Sequence, residues 1–111
     1  MLPIPMRVLT SSVRVRIPVD GAGGYKEYAD PVTIGNVRYE LASGVRPTSY
    51  QLQDGTTGVL FIDALNSVGA FDVPAGSLVS VDGAEAECCV AACRRYEGFG
   101  GRVHHWEVEL K

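Results

Sequence analysis

The residue types best suited to metal binding or nucleophilic chemistry lie near the C-terminus, where three cysteines precede two histidines: Cys88, Cys89, Cys93, His104 and His105. Zinc sites use repeated pairs of ligands two to four residues apart, a spacing that this segment lacks. On a strand, alternation turns Cys88 away from Cys89 and Cys93. His104 likewise turns away from His105, so at most two thiols and one imidazole could converge. We therefore expect free thiols, no metal and no cofactor.

Glycine-rich and nucleophile motifs give no catalytic centre either. Residues Gly21 to Gly24 read GAGG after a strand pattern, but no helix pattern follows, so a solvated turn is favoured over a phosphate-binding loop. The chain has neither a nucleophile elbow nor a paired-histidine metalloprotease motif. A thiolate pair between His104 and Cys89 or Cys93 is conceivable, but a lone histidine on an apolar strand face is typically packed. We expect that the protein is not an enzyme.

Length and charge indicate one domain over residues 1–111. The chain has 46% hydrophobic residues, enough for a single core, and a net charge of −3, which argues against a protein that grips a DNA duplex. No apolar run is long enough to span a membrane. Residues 1–10 lack the features of a signal peptide, and the cysteine count is odd, so we expect a cytoplasmic origin with reduced thiols.

The segment RVHHWEVELK, from Arg102 to Lys111, organises the rest of the chain. It alternates as a half-buried strand and carries the only tryptophan. The face expected to point to the core comprises His104, Trp106, Val108 and Leu110. The opposite face comprises His105, Glu107 and Glu109. We expect Trp106 in the core with His104 beside it on the same face.

Alternation predicts further strands along the chain. They are Ser11–Val19, a return near Tyr25–Tyr28, Val32–Ala42 with a bulge or bend at Gly35, and the buried run Gly58–Ala64. Within the last of these, Asp63 is expected to mark the exit of the strand to solvent.

Asp82 and Gly83 predict a two-residue hairpin turn, because this dipeptide tolerates positive φ. The register would place Val81 opposite Ala84 and Val79 opposite Ala86. The alanines and glutamates of the second arm would also suit a helix, but the turn favours a strand. The C-terminal third is then a three-stranded meander, in an all-β domain of about six strands.

Two segments stand outside this pattern. Residues 1–10, with two prolines, are typical of an extended arm. Residues 43–57 form a long polar loop, a length that is usually functional in a small domain. Its candidate partner contacts are Arg46, Tyr50, Gln51, Gln53 and Asp54. The alternative is a surface loop without a partner.

Four strings and their order resemble the minor capsid protein family of tailed bacteriophages: DPVTIGNVRYE (Asp30 to Glu40), LFIDALNS (Leu60 to Ser67), VDG (Val81 to Gly83) and HHWEVELK (His104 to Lys111). The Pro-Ile-Pro start also matches. The resemblance implies a small antiparallel β-barrel. It further implies a head-closure, or stopper, subunit of the neck, which forms a ring, retains packaged DNA and offers the surface for tail attachment.

The implied partners follow from that role. They are other copies of the chain in a ring, a portal or adaptor ring on the head side, a tail-joining or tail-completion protein on the tail side, and genomic DNA that passes without sequence-specific binding. No membrane is involved; the protein would be assembled in the bacterial cytoplasm and reside in the virion neck. The alternatives are another neck component, namely an adaptor or tail terminator, and a host β-barrel binding module. A nucleic-acid-binding module is disfavoured because the tyrosines are not interleaved with lysine and arginine.

Overall fold

The computed structural model describes residues 2–20, 26–41 and 57–111, which form eight β-strands and two short 3₁₀ turns. The strands are β1 (Ser11–Arg16), β2 (Pro18–Asp20), β3 (Lys26–Tyr28), β4 (Val32–Leu41), β5 (Gly58–Asp63), β6 (Leu78–Val81), β7 (Cys88–Glu97) and β8 (Val103–Leu110). The 3₁₀ turns are Met6–Val8 and Phe99–Gly101. No α-helix occurs in these residues, and the predicted all-β class is confirmed.

Six strands close into an antiparallel barrel in the order β1-β4-β5-β8-β7-β6, and β6 pairs back onto β1. The predicted small barrel and its C-terminal meander, β6-β7-β8, are confirmed. β2 and β3 pair with each other as a separate two-stranded sheet. Closure gives each barrel strand a neighbour on both sides, which removes the exposed edges that promote aggregation.

Inward-facing side chains from all six barrel strands fill the interior. The buried cluster comprises Val13, Val15, Ile34, Val37, Leu60, Ile62, Val79, Val90, Trp106, Val108 and Leu110, with Val73 from the segment between β5 and β6. Burial of each large aliphatic side chain contributes about 1.5–3 kcal/mol. The barrel therefore encloses a packed apolar core made by period-two alternation on every strand.

A bulge interrupts the β1-β4 ladder at the predicted glycine. Ser11 lies opposite Val37 but Val13 lies opposite Ile34, so β4 carries one extra residue. Gly35 lies in this insertion and pairs through both backbone groups with Val68, at 2.9 and 3.0 Å. The bend at Gly35 is confirmed, and it joins β4 to the segment after β5.

The Asp82-Gly83 turn is present, with φ values of 51° and 76° and a 3.0 Å hydrogen bond from the Ala84 N–H to the Val81 carbonyl. The predicted strand after it is also present as β7. The predicted register is wrong, however, because Val79 lies opposite Cys88. Residues 84–87 thus lie between the turn and the start of β7.

Contacts to β1 account for this register. The Asp82 carboxylate accepts hydrogen bonds from the Ser11 hydroxyl and the Ser12 N–H, each at 2.9 Å. The Asp82 N–H donates to the Ser12 carbonyl at 2.8 Å. The turn is thereby fixed to β1, and the next residues, Ala84, Glu85 and Ala86, have low strand propensity, so the ladder resumes only at Cys88.

A second bulge lies in β7. Val90 lies opposite Leu110 whereas Ala92 lies opposite Glu109, so Ala91 is an inserted residue. Such an insertion reverses which face the following side chains point to.

The inserted residue overturns the expected separation of the cysteines. Cys88 and Cys93 both pack against the core cluster, and Cys89 is exposed. All three are free thiols. Simple alternation failed here because it assumes an unbroken ladder from Cys88 to Cys93.

Candidate functional site: the arm end of the barrel

The loop residues expected to contact partners lie outside the described residues; they are Arg46, Tyr50, Gln51, Gln53 and Asp54. Of the other singled-out residues, Asp82 and Gly83 form the turn next to β1, and His104 and Trp106 lie on β8. His104 belongs to a polar cluster at one end of the barrel, where the N-terminal segment returns to the sheet. We call this the arm end, and the arm is residues 2–10.

The turn after β5 binds the arm through a buried carboxylate. Asp63 is fully buried and accepts hydrogen bonds from the backbone N–H groups of Ile4 at 2.9 Å, Leu65 at 3.0 Å and Asn66 at 2.7 Å. The Asn66 side-chain amide donates to the Ile4 carbonyl at 2.8 Å. The strand does end at Asp63 and the next two residues are exposed, as expected, but the Asp63 side chain itself is buried and not solvated. Its charge is compensated by three N–H donors, as buried carboxylates require.

The contacts of Ile4 hold the arm against the barrel of the same chain. The arm is not uniformly extended, since Met6–Val8 forms a 3₁₀ turn and Leu9 is buried. Both backbone groups of Ile4 are satisfied by side chains 59 and 62 residues away in sequence. These long-range bonds connect the arm to the β5 end.

The two histidines of β8 form a second contact to the arm. His104 Nε2 lies 2.6 Å from the Leu2 carbonyl oxygen, and its Nδ1 lies 2.8 Å from His105 Nδ1. His105 Nε2 lies 3.0 Å from Glu107 Oε2. The His105 ring stacks on Tyr96 with a centroid distance of 4.7 Å and an interplanar angle of 4°. The chain of contacts runs from the arm carbonyl to a carboxylate.

Trp106 lies in the core and is 7% exposed. Its indole N–H donates to the carboxylate of Asp72, which forms an ion pair with Arg95 at 3.7 Å. The polar edge of the ring is thus satisfied while the rest of the ring is packed, as expected for a buried tryptophan.

The outer face of β8 is not the solvated face that alternation predicts. Glu109 is fully buried, with Arg94 3.4 Å away, and Glu107 is 9% exposed. Val59, opposite Glu109 on β5, is also fully buried. The last five residues of β8 are therefore buried on both faces, and their carboxylates sit among charged and hydrogen-bonding neighbours.

Exposed apolar side chains gather at the arm end. Leu2 is 87% exposed, Leu65 75%, Val68 66% and Phe99 89%. The Leu2 carbonyl contacts His104, which also lines a shallow cleft with Phe99. Leu65 belongs to the turn that binds the arm, and Val68 follows that turn and pairs with Gly35. We call these four side chains the end surface. Exposed apolar groups at one end of a barrel are candidates for a protein contact site.

The chain matches the family model for minor capsid proteins over residues 5–110. It belongs to the minor capsid protein family of phages. No curated protein and no solved structure gave a match. The resemblance inferred from the sequence strings is confirmed, and the minor capsid protein is a structural component of the virion.

In the described part of the chain, the cysteines and histidines do not form a metal site. Among the described residues, no group of three or more histidine, cysteine, aspartate or glutamate side chains is arranged to hold a metal ion. Burial raises the pKa of the Cys93 thiol, which favours its neutral form over a nucleophilic thiolate. In the part of the chain that the structure describes, no helix is long and apolar enough to cross a membrane.

Sequence reasoning missed Asp63 and Asn66 as residues that hold the arm. The string Asp63-Ala-Leu-Asn66-Ser67 does contain a signal, because aspartate commonly caps the N–H groups two and three residues later. That pattern predicts the turn made by the Leu65 and Asn66 N–H groups, but it does not indicate that Asp63 also accepts a hydrogen bond from Ile4, 59 residues away in sequence.

Proposed function

We propose that this minor capsid protein is a head-closure subunit of the phage neck, which assembles into a ring below the portal, retains packaged DNA and presents the surface for tail attachment. The observation that carries the proposal is a closed, filled barrel with an exposed apolar end surface, in a member of a structural virion family. The family supports the virion role, and the neck position is our proposal.

The filled barrel supports a ring. Because apolar side chains occupy its interior, DNA could pass only through a channel formed between several copies of the subunit. Rings of this kind require heterologous contacts between different faces of neighbouring subunits. A rigid barrel suits this task, since its closed ladders leave the outer faces and the two ends for contacts.

The end surface supports stacking of one ring on another. Leu2, Leu65, Val68 and Phe99 project at one barrel end, so an adjoining portal, adaptor or tail-completion protein could bury them together. A second part of the proposal concerns residues 43–57, which we assign to partner or channel contacts on sequence grounds. The net charge of −3 is compatible with DNA that passes through without being held.

The proposal is tested by removing the protein from a phage that encodes it and complementing in trans. Loss should give heads that package DNA but release it, together with free tails, as seen by electron microscopy and nuclease sensitivity of the genome. Wild-type protein should restore infectious particles. Phe99→Ser with Leu65→Ser should fold and yet fail to restore them, whereas Val19→Ser, at an exposed position outside the end surface, should restore them.

Other outcomes would identify other roles. Heads that retain DNA beside tails of abnormal length would replace head closure with tail termination. Particles of normal infectivity without the protein would reject a neck role altogether.

A further inference from the structure

The contacts between the arm and β8 form one continuous chain of hydrogen-bonding atoms. It begins at the Leu2 carbonyl, continues through both ring nitrogens of His104 and then both of His105, and ends at the Glu107 carboxylate. The successive distances are 2.6, 2.8 and 3.0 Å. Each lies within hydrogen-bonding range, so each contact requires one hydrogen between its two heavy atoms.

The number of available hydrogens decides the protonation state of the chain. A carbonyl oxygen and an ionised carboxylate can only accept, so all hydrogens must come from the imidazoles. Two neutral imidazoles carry one ring N–H each, and the three contacts need three. The cluster of His104, His105 and Glu107 therefore holds one proton more than two neutral rings and a carboxylate would hold. The count is the same whether a ring or the carboxyl group carries that proton.

Removal of the extra proton breaks one contact in every possible arrangement. If His105 keeps its hydrogen on Nδ1, its Nε2 lone pair faces the Glu107 carboxylate. If His105 carries it on Nε2, the two Nδ1 lone pairs face each other. His104 can then donate through Nδ1 only by withdrawing its hydrogen from Nε2, which leaves a lone pair facing the Leu2 carbonyl. Without the extra proton, the arm contact can be kept only if another contact in the chain breaks, whereas two hydrogens suffice for the two contacts that remain when Leu2 leaves, so arm docking is coupled to the proton.

The surroundings suit a positive charge on the pair. The side chains of His105 and Glu107 are 18% and 12% exposed, so water can replace the contact between them only in part, whereas the contact from His104 to the Leu2 carbonyl is exposed. The parallel Tyr96 ring presents its π face to His105, a favourable position for an imidazolium. In the ladders, Asp63 on β5 lies opposite His105 and Arg94 on β7 lies opposite Glu107. The remaining charged groups nearby are Arg95 and Glu97 on β7, which form an ion pair with each other, and Arg102 in the turn before β8.

We propose that His104, His105 and Glu107 form a proton-binding site that fastens the N-terminal arm to the barrel, so that the arm docks with the uptake of one proton. The docked state holds one more proton than the released state. Docking must therefore strengthen as pH falls and weaken as pH rises through the range where imidazole titrates, about pH 5 to 8. The Asp63 and Asn66 contacts supply the part of the docking free energy that does not depend on the proton, and they break with the rest of the arm each time it is released.

The Ile4 amide reports on docking, because its N–H donates to the Asp63 carboxylate. Its exchange with solvent is measured by NMR on the whole protein and divided by the intrinsic rate at each pH. The resulting protection factor should fall as pH rises from about 6 to 8, by up to about tenfold per pH unit, the limit for one linked proton. Side-chain ¹⁵N spectra at the lower pH should show His104 as the neutral Nε2–H form and His105 as the imidazolium.

Glu107→Gln is the matched variant. Its amide group can donate to His105 Nε2 and so supplies the missing hydrogen with both rings neutral. Protection of Ile4 should then persist at pH 8 and vary little with pH. His105→Gln, which removes one of the titrating rings, should also abolish the pH dependence, and it serves if Glu107→Gln does not fold. Folding of each variant is checked by near-ultraviolet circular dichroism of Trp106.

Two results would overturn the proposal. One is a corrected protection factor for wild-type Ile4 that is equal at pH 6 and 8. The other is a folded Glu107→Gln or His105→Gln variant with the same pH dependence as the wild type, which would place the linked proton on another group.

Discussion

Replacement of Asp63 by alanine should be among the most destabilising single changes in this protein. The substitution removes the acceptor for three backbone N–H groups and leaves a polar pocket under the arm. Hydrogen bonds to a charged group contribute about 1.5–3 kcal/mol each. We expect a total loss of about 3 kcal/mol, less than the full value of three such bonds, because Leu65 is 75% exposed and water can reach part of the turn.

The free energy of unfolding is measured by urea denaturation, with an unchanged m-value as the sign that two-state unfolding is preserved. The loss should lower the Tm by about 10 °C or more. Asp30→Ala is the control, since Asp30 is exposed and its substitution should stay within about 0.5 kcal/mol of the wild type.

Asp63→Asn separates the two tasks of the carboxylate. The side-chain oxygen that remains can still accept from both Leu65 and Asn66, which share one carboxylate oxygen, but the amide group then faces the Ile4 N–H, donor to donor. We expect a loss of about 1 kcal/mol in stability and a selective loss of Ile4 protection. If Asp63→Ala costs less than about 1 kcal/mol, or if Asp63→Asn leaves the arm docked, the carboxylate does not hold the arm as we argue.

Three further changes test the core, a close approach and the loop. Trp106→Ala should cost about 3–5 kcal/mol in urea denaturation, and a near-neutral effect would show that the indole does not contribute to the core. Gly58→Ala should cost about 1–3 kcal/mol, because a Cβ there would lie 2.6 Å from the Tyr39 ring; the cost should largely vanish in a Tyr39→Ala background. Replacement of Val45 to Asp54 by a Gly-Ser linker of equal length should leave the Tm nearly unchanged but abolish complementation of infectivity, and normal yields of infectious particles would reject a role for this loop.

Local patterns in the sequence were sufficient for several of the strands and for one turn. Alternation identified β4, β5 and β8 because side chains on a pleated strand point to opposite faces whatever the rest of the fold does. Asp82-Gly83 identified the turn because its positive φ angles are a property of the dipeptide itself. Gly35 marked the bulge because a glycine inside a strand pattern is typical of a bulge or bend, although the positive φ there, 55°, belongs to Asn36.

The same patterns failed wherever a distant partner decides the outcome. The register after Asp82 follows from Ser11 and Ser12, about 70 residues earlier in the chain, which hold the turn against β1. The inserted residue Ala91 has no sequence signature, yet it decides that Cys93 faces the core.

The sequence by itself determined an all-β chain, most of its strands and its family, because these depend on local periodicity and on strings of neighbouring residues. It did not show that the predicted strand Ser11–Val19 divides into β1 and β2, which lie in different sheets. Only the tertiary structure decided which polar groups meet. Asp63 and His104 are ordinary residues of two strands until barrel closure brings both to the end where the arm returns. Because Asp63 is buried, the backbone donors around it need an acceptor. The pairing of β5 with β8 places Asp63 opposite His105 and so determines which polar groups meet at this end.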